Sequence, residues 1–304
     1  MLAARVLTRF ERLGMHTGEQ VIIVTGAASG IGRELCRLFG RRRAKIGLVD
    51  REQSKLESFA DELCQAGVPC TAAVADVCQR EEVQNAVHQI VAALGPADIL
   101  IPCAGICRAS TVDDLKMSHV EEIVRTNFLG TVYMIEAVLP SMLARKRGQI
   151  AGISSMAGVR GIPFEPAYSA SKAAVAAYLE SLRSELRHRG IIITTVFPGY
   201  VQTPLLDEIN GMMGADMSAG KAFTSNAAAT RIMKAIERRR SYVYFPGRLG
   251  LSVRISRLMP PRMYDRIMGR MFSRFPISRR GGPVSGESPV GERDPRRSSN
   301  RCSP

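Results

Sequence analysis

No two cysteines in this chain stand in a Cys-x-x-Cys spacing, and the seven at positions 36, 64, 70, 78, 103, 107 and 302 have no histidine beside them. A structural zinc site is therefore not expected. An odd cysteine count with no secretory leader reads as free thiols in a reducing, cytoplasmic compartment, mostly serving as small core side chains. Unbroken apolar runs are also short. One of the longest, residues 99–106, has a proline inside it, whereas a membrane-spanning helix needs about 20 apolar residues. Residues 1–19 lack a continuous apolar stretch, so no signal peptide is expected. What is present is ordinary globular composition: 304 residues, 45% hydrophobic and 23% charged, enough for a sizeable core in one large domain or two small ones.

The net charge of +14 is concentrated at one end. Residues 231–304 carry 18 Lys and Arg against 5 Asp and Glu, and the preceding 230 residues are nearly neutral. A basic end on a neutral body points to an acidic partner for that end alone. Within 247–275, Leu251, Ile255, Leu258 and Met259 precede a Pro-Pro break at 260–261. Met263, Tyr264, Ile267, Met268, Met271, Phe272 and Phe275 then follow at helical spacing. Arg262, Arg266, Arg270 and Arg274 recur every four residues among them. This basic amphipathic extension suits either an anionic membrane surface or packing on the protein itself. No nucleic-acid recognition motif accompanies the charge, so nucleic acid is not an expected partner. From 276 onward the chain is rich in Gly, Pro, Ser and Arg and reads as disordered.

Short β-type runs at 21–25, 46–49, 70–75, 99–103, 149–154, 191–197 and 242–245 alternate with helical patterns. The helical stretches are 30–39, 52–66, 80–94, 118–144, 166–189 and 227–238. That order predicts an α/β fold: one doubly wound, Rossmann-type parallel sheet covered by helices on both faces. Ligands in such folds bind at the carboxyl ends of the strands.

Thr25-Gly-Ala-Ala-Ser-Gly-Ile-Gly32 joins the first strand to a helix. Gly26 permits a tight turn, Gly30 the approach of a pyrophosphate to the backbone, and Gly32 close packing of helix on sheet. The helix N-terminus offers free N–H groups to the phosphates. Asp50, at the end of the second strand and 18 residues after Gly32, is placed to accept adenosine ribose hydroxyls. Its charge opposes a 2′-phosphate, which favours NAD over NADP. Arg51 beside it pulls the other way.

Tyr168-Ser-Ala-Ser-Lys172 places a phenol and an ammonium one helical turn apart. A nearby cation favours phenolate and lowers the phenol's pKa toward the working range. Alone, this pair is common on helices. Combined with the glycine loop, Asp50, Asn127 and Ser155 in this order, the chain resembles the classical short-chain dehydrogenase/reductase family over about residues 20–245. The resemblance implies a cofactor loop over 25–32, including Ser29 and Ile31. It also implies a catalytic serine 13 residues before the tyrosine, which selects Ser155 over Ser154. Asn127, in RTNFLGT, would complete a tetrad with Ser155, Tyr168 and Lys172, holding a water that links Lys172 to solvent. Asp76-Val77 would touch the adenine, and Pro198-Gly199 with Val201 and Thr203 would border the nicotinamide. Two positions depart from the family pattern. Pro102-Cys103-Ala104-Gly105 stands where Asn-Asn-Ala-Gly is usual, with Ala104 and Gly105 still able to pass the ribose. Gly152 stands where an Asn often does.

The implied activity is NAD(P)-dependent interconversion of an alcohol and its carbonyl. Residues 158–166 and 205–223 flank the tetrad. The second stretch holds Leu205, Leu206, Ile209, Met212, Met213, Met217 and Phe223, an adaptable apolar lid suited to a sterol, retinoid or long-chain substrate. The expected organisation is a catalytic domain over 20–246, an amphipathic extension over 247–275 and a tail over 276–304. Association into a homodimer or homotetramer, through the helices carrying Asn127 and Tyr168, follows from the resemblance. The competing reading is a membrane-associated cofactor-binding scaffold without turnover.

Overall fold

In the computed structural model, residues 20–273 are described. The expected disordered tail, Arg274, Phe275 and Cys302 lie outside them. Strand β1 (Val21–Thr25) is a β-branched run buried along its whole length, as the centre of a two-sided sheet requires. It is followed by α1 (Gly30–Gly40), β2 (Lys45–Asp50), α2 (Gln53–Gln65), β3 (Cys70–Val74), α3 (Arg80–Leu94) and β4 (Ile99–Ile101). β4 stops at Pro102, which has no N–H to continue a ladder. Next come α4 (Met117–Val124), a π-helical turn (Arg125–Leu129), α5 (Gly130–Arg145), β5 (Gly148–Ile153) and α6 (Pro166–Leu186). The chain continues through β6 (Ile191–Pro198), β7 (Val201–Gln202), α7 (Pro204–Met213), β8 (Phe223–Thr224), α8 (Ser225–Glu237) and β9 (Tyr242–Phe245). It ends with α9 (Gly247–Ser256) and α10 (Pro261–Phe272).

The main sheet has seven parallel strands in the order β3-β2-β1-β4-β5-β6-β9. One face packs on Leu35 and Phe39 of α1, Phe59 of α2, and Ile232 and Ile236 of α8. The other packs on Ile90 of α3, Met134 and Val138 of α5, and Val175 and Leu179 of α6. Helices on both faces confirm the doubly wound expectation. The strand order reverses between β1 and β4, and the crevice for a ligand opens at their carboxyl ends.

Three features differ from the sequence reading. The span expected as one helix over 118–144 carries a π turn at 125–129, with Asn127 inside it. The lid over 205–223, expected as a loop, contains most of α7 and is bracketed by a small second sheet pairing β7 with β8. Finally, Met117–Arg145 is long and apolar enough to cross a membrane by length and composition alone. Polar residues such as Asn127 and Glu136 interrupt it, which hides it from a search for unbroken runs. Here Met134, Ile135, Val138 and Met142 bury its inner face in the core.

Candidate active site

Gly26 and Gly30 lie in the left-handed region, at φ +66° and +52°. A Cβ on Gly32 would stand 2.2 Å from the carbonyl oxygen of Gly26, so the first turn of α1 presses directly on the preceding loop. Ser29 makes no side-chain cap, leaving the first-turn amides facing outward. Gly26, Ser29, Gly30, Ile31 and Gly32 line one end of a cavity of about 810 Å³. Ala104 and Gly105 border it from β4, and Pro198, Gly199, Val201 and Thr203 from beyond β6. A backbone groove without Cβ atoms at a helix N-terminus fits a dinucleotide pyrophosphate.

Asp50, Arg51, Asp76 and Val77 lie outside that cavity lining. Asp50 ends β2 and accepts the Ala28 N–H at 3.0 Å and the Glu52 N–H at 3.1 Å, tying the glycine loop to its own strand. Asp76 accepts the Cys78 N–H at 2.9 Å. Arg51 is exposed, 4.0 Å from Glu52.

The two departures from the family pattern have local explanations. The Thr25 hydroxyl accepts both the Cys103 and the Ala104 N–H at 3.0 Å, bracing β1 to the segment after β4 without asparagine amides. At Gly152 a Cβ would stand 2.3 Å from Leu179 Cδ1, so the Leu179 side chain of α6 fills the space that a larger residue would take on β5.

Helix α6 carries Tyr168 and Lys172 one turn apart, with Nζ 5.7 Å from the tyrosine ring centroid. Lys172 is buried and donates to the Ile153 carbonyl at 3.1 Å. Gly105 makes room for it, since a Cβ there would lie 3.2 Å from Nζ. Ser155 lines the same cavity as the Tyr168 phenol, near enough to favour its ionised form, and accepts the Ala157 N–H at 3.2 Å. Ser154 instead donates to the Lys172 carbonyl at 2.7 Å, a structural role that leaves Ser155 beside the phenol. Asn127 is fully buried. It donates to the Ile106 carbonyl and the Ser171 hydroxyl, both at 3.0 Å, and accepts the Ile106 N–H at 2.8 Å. Both amide N–H groups are thus engaged in clamping the loop after β4 to α6.

The electrostatics also differ from expectation. Burial pushes the Tyr168 phenol well above its ordinary range, Cys107 and Glu165 add to that, and the Ser155 hydrogen bond opposes it. Burial lowers Lys172 to about 8. In the protein alone burial therefore outweighs whatever the lysine contributes toward phenolate, its ammonium being desolvated and donated to the Ile153 carbonyl.

Beyond the tyrosine the cavity is apolar. Leu205, Leu206, Ile209 and Met217 line it as expected of a lid. Met213 packs behind them, whereas Met212 is on the surface and Phe223 stacks edge-on against Phe245. Those last two are not lid residues; their places in α7 and β8 turn them away. Sequence reasoning missed the roof. Met259, Ile267, Met268, Met271 and Phe272 line the cavity from α10 and the turn before it. Met268 and Phe272 are buried with Ile209, Met213 and Cys107, each side chain contributing about 1.5–3 kcal/mol of apolar burial. Arg160 holds this roof down. It lies 3.8 Å over the Tyr264 ring and donates to the Ser256 and Met259 carbonyls. Tyr264 in turn donates to the Gly161 carbonyl at 2.7 Å.

A family model described as short chain dehydrogenase matches residues 20–214. An uncharacterized oxidoreductase of Myxococcus xanthus (strain DK1622) is 32% identical over 249 residues, covering 82% of this chain and 96% of that protein. Dehydrogenase/reductase SDR family member 7B of Rattus norvegicus is 34% identical over 263 residues, 82% of this chain and 80% of that one. Among solved structures, a short-chain dehydrogenase/reductase from Burkholderia phymatum in complex with NAD superposes with a TM-score of 0.75. It is 23% identical and covers 80% of this chain and 95% of that one. The glycine groove, the Tyr-x-x-x-Lys helix and these matches converge: the chain belongs to the short-chain dehydrogenase/reductase family of NAD(P)-dependent oxidoreductases.

Proposed function

We propose that the protein interconverts a lipophilic alcohol and its carbonyl, with NAD preferred, through Tyr168, Ser155, Lys172 and Asn127. The observation that carries this reading is the placing of Tyr168, Ser155 and Lys172 on the wall of one largely apolar cavity that runs on into the glycine groove. Gly26, Ser29, Gly30, Ile31 and Gly32 would hold the pyrophosphate. Ala104, Gly105, Pro198, Gly199, Val201 and Thr203 would flank the ribose and nicotinamide. Asp50 and Arg51, with Asp76 and Val77, would meet the adenosine end. When bound, the nicotinamide supplies or accepts the hydride.

The protein's own part is proton handling and positioning. Tyr168 Oη takes the alcohol proton in oxidation and returns it in reduction. Ser155 donates to the substrate oxygen and stabilises charge developing there. Lys172, buried beside Gly105, would hold the ribose hydroxyls of the bound cofactor. Asn127 is a positioning residue that fixes the β4 loop and α6 relative to each other.

Titration with NADH and NADPH, then a screen of hydroxysteroids, retinol, aliphatic alcohols and matching ketones, tests the reading. NADH is expected to bind tighter, and Asp50→Ala to lose about tenfold in NADH affinity, the equivalent of ~1.4 kcal/mol. Tighter NADPH binding by the wild type would reverse the preference.

The extension is apolar on two sides, and we propose that they serve different partners. One stripe packs inward through Met268 and Phe272, while Leu251, Ile255 and Leu258 stand 58%, 56% and 87% exposed. With Arg254, Arg262, Arg266 and Arg270 nearby, that exposed stripe suits an anionic bilayer. Flotation with phosphatidylserine liposomes is expected to carry the wild type upward and to leave a Leu251→Ser, Ile255→Ser, Leu258→Ser triple variant behind. Equal flotation of the two would remove the membrane reading. Self-association through the outer faces of α4, α5 and α6 is the expected assembly.

A further inference from the structure

Glu165 is 3% exposed, yet its Oε1 has no hydrogen-bond partner. It occupies the N-cap position of α6, where a side-chain oxygen ordinarily accepts an amide of the first turn. Here it makes no such cap. Pro166 presets the first turn in its place, and only the Glu165 carbonyl joins the helix, accepting the Ser169 N–H at 2.9 Å. The unused carboxyl lines the same cavity as Tyr168 and Ser155. Its charge is felt at Tyr168, Tyr200 and Cys107, so it sits among them rather than at the rim. Glu165 and Tyr168 are three residues apart, a spacing that puts their Cβ atoms about 5–6 Å from each other on one side of the helix.

A buried acceptor without a partner is costly and is retained where something completes it. Lysine or arginine does not: Glu165 forms no ion pair among the described residues, and burial alone moves its carboxyl up to about 7. Near neutral pH both protonation states are then present, one accepting only and the other able to donate. A hydroxyl can satisfy either form; an ammonium suits only the carboxylate.

Resting on the dehydrogenase reading above, we propose that Glu165 is a specificity-determining residue that hydrogen-bonds a second hydroxyl group of the substrate. The preferred substrates are lipophilic hydroxy-ketones, and the corresponding diols in the oxidative direction, rather than simple ketones or alcohols. The apolar wall contributed by Leu205, Ile209 and Met268 accepts the hydrocarbon, and Glu165 sets which way round it lies.

The test uses full-length enzyme with saturating reduced cofactor and matched ketone pairs. The members of each pair differ only by a hydroxyl, set from one to four carbons from the carbonyl. In the wild type, kcat/KM for the best hydroxylated member is expected to exceed that of its plain partner by at least about tenfold, mostly through KM. Glu165→Gln, which still hydrogen-bonds, is expected to keep the preference within about threefold. Glu165→Leu is expected to abolish it while leaving turnover of the plain ketone unchanged or raised. Thermal melts of both variants establish that they fold.

Turnover of plain ketones with no hydroxyl preference in the wild type overturns the assignment of Glu165 alone. So does a preference that survives Glu165→Leu, or an equal loss on both members in that variant. A stronger preference for matched amino-ketones overturns the hydroxyl as the recognised group. No turnover of any member with either cofactor overturns the dehydrogenase reading and this inference with it.

Discussion

Tyr168→Phe is expected to lower turnover by about a thousandfold and to leave cofactor affinity within about twofold of the wild type. The substitution removes one oxygen and keeps the ring. The packing of α6 and the position of Lys172, held by the Ile153 carbonyl, are therefore preserved. The oxygen lost is the only one in the pair that can exchange a proton with the substrate, because Ser155 stabilises charge but is a far weaker acid or base. Affinity is spared since the pyrophosphate groove is built from Gly26, Gly30 and Gly32 on another strand–helix junction. Steady-state kinetics with fluorescence titration of NADH separates the two quantities. Retained turnover in the phenylalanine variant would sink the catalytic assignment.

Gly32→Ala is expected to destabilise the protein by about 3 kcal/mol or more and to abolish measurable cofactor binding. The new Cβ would fall 2.2 Å from the Gly26 carbonyl oxygen and 2.8 Å from its carbon, and neither is the free end of a flexible side chain. Either α1 lifts off the sheet or the loop deforms, and both outcomes spoil the groove. Gly211→Ala is the control. It lies in α7 with nothing within 4 Å of its Cβ position, so the same chemical change there should stabilise by up to about 1 kcal/mol. Thermal melts and NADH titration of the two variants read opposite signs. A Gly32→Ala protein that melts and binds like the wild type would show that the turn is not under this constraint.

The parts legible in the sequence are those whose physics is local. β-branched runs alternating with helical periodicity placed all seven strands of the main sheet within a few residues, because the inner strands are buried on both faces and each run carries its own signature. The glycine loop and the Tyr168–Lys172 pair were legible for the same reason: each is a single turn of chain. What escaped depends on residues far apart. β7 and β8 are two residues each and exist only because their segments meet after α7 has folded between them. The π turn at Asn127 leaves no compositional mark. That Thr25 would replace absent asparagine amides, or that Gly152 answers to Leu179, follows from packing across the sheet. Nothing in the sequence singles out Glu165, and only its unused oxygen distinguishes it. The amphipathic extension presented a choice between two environments, and the structure buries part of its apolar surface while leaving part exposed.

The anchoring of Arg160 has a mechanical consequence. Its guanidinium and the Tyr264 hydroxyl tie the roof helix to residues 160–161, a few positions beyond Ser155 on the same short stretch of chain. Widening the mouth to admit a bulky molecule must strain these bonds or drag that stretch along with the roof. On the proposed mechanism, admission of the guest and alignment of the Ser155 hydroxyl would thereby be geared together.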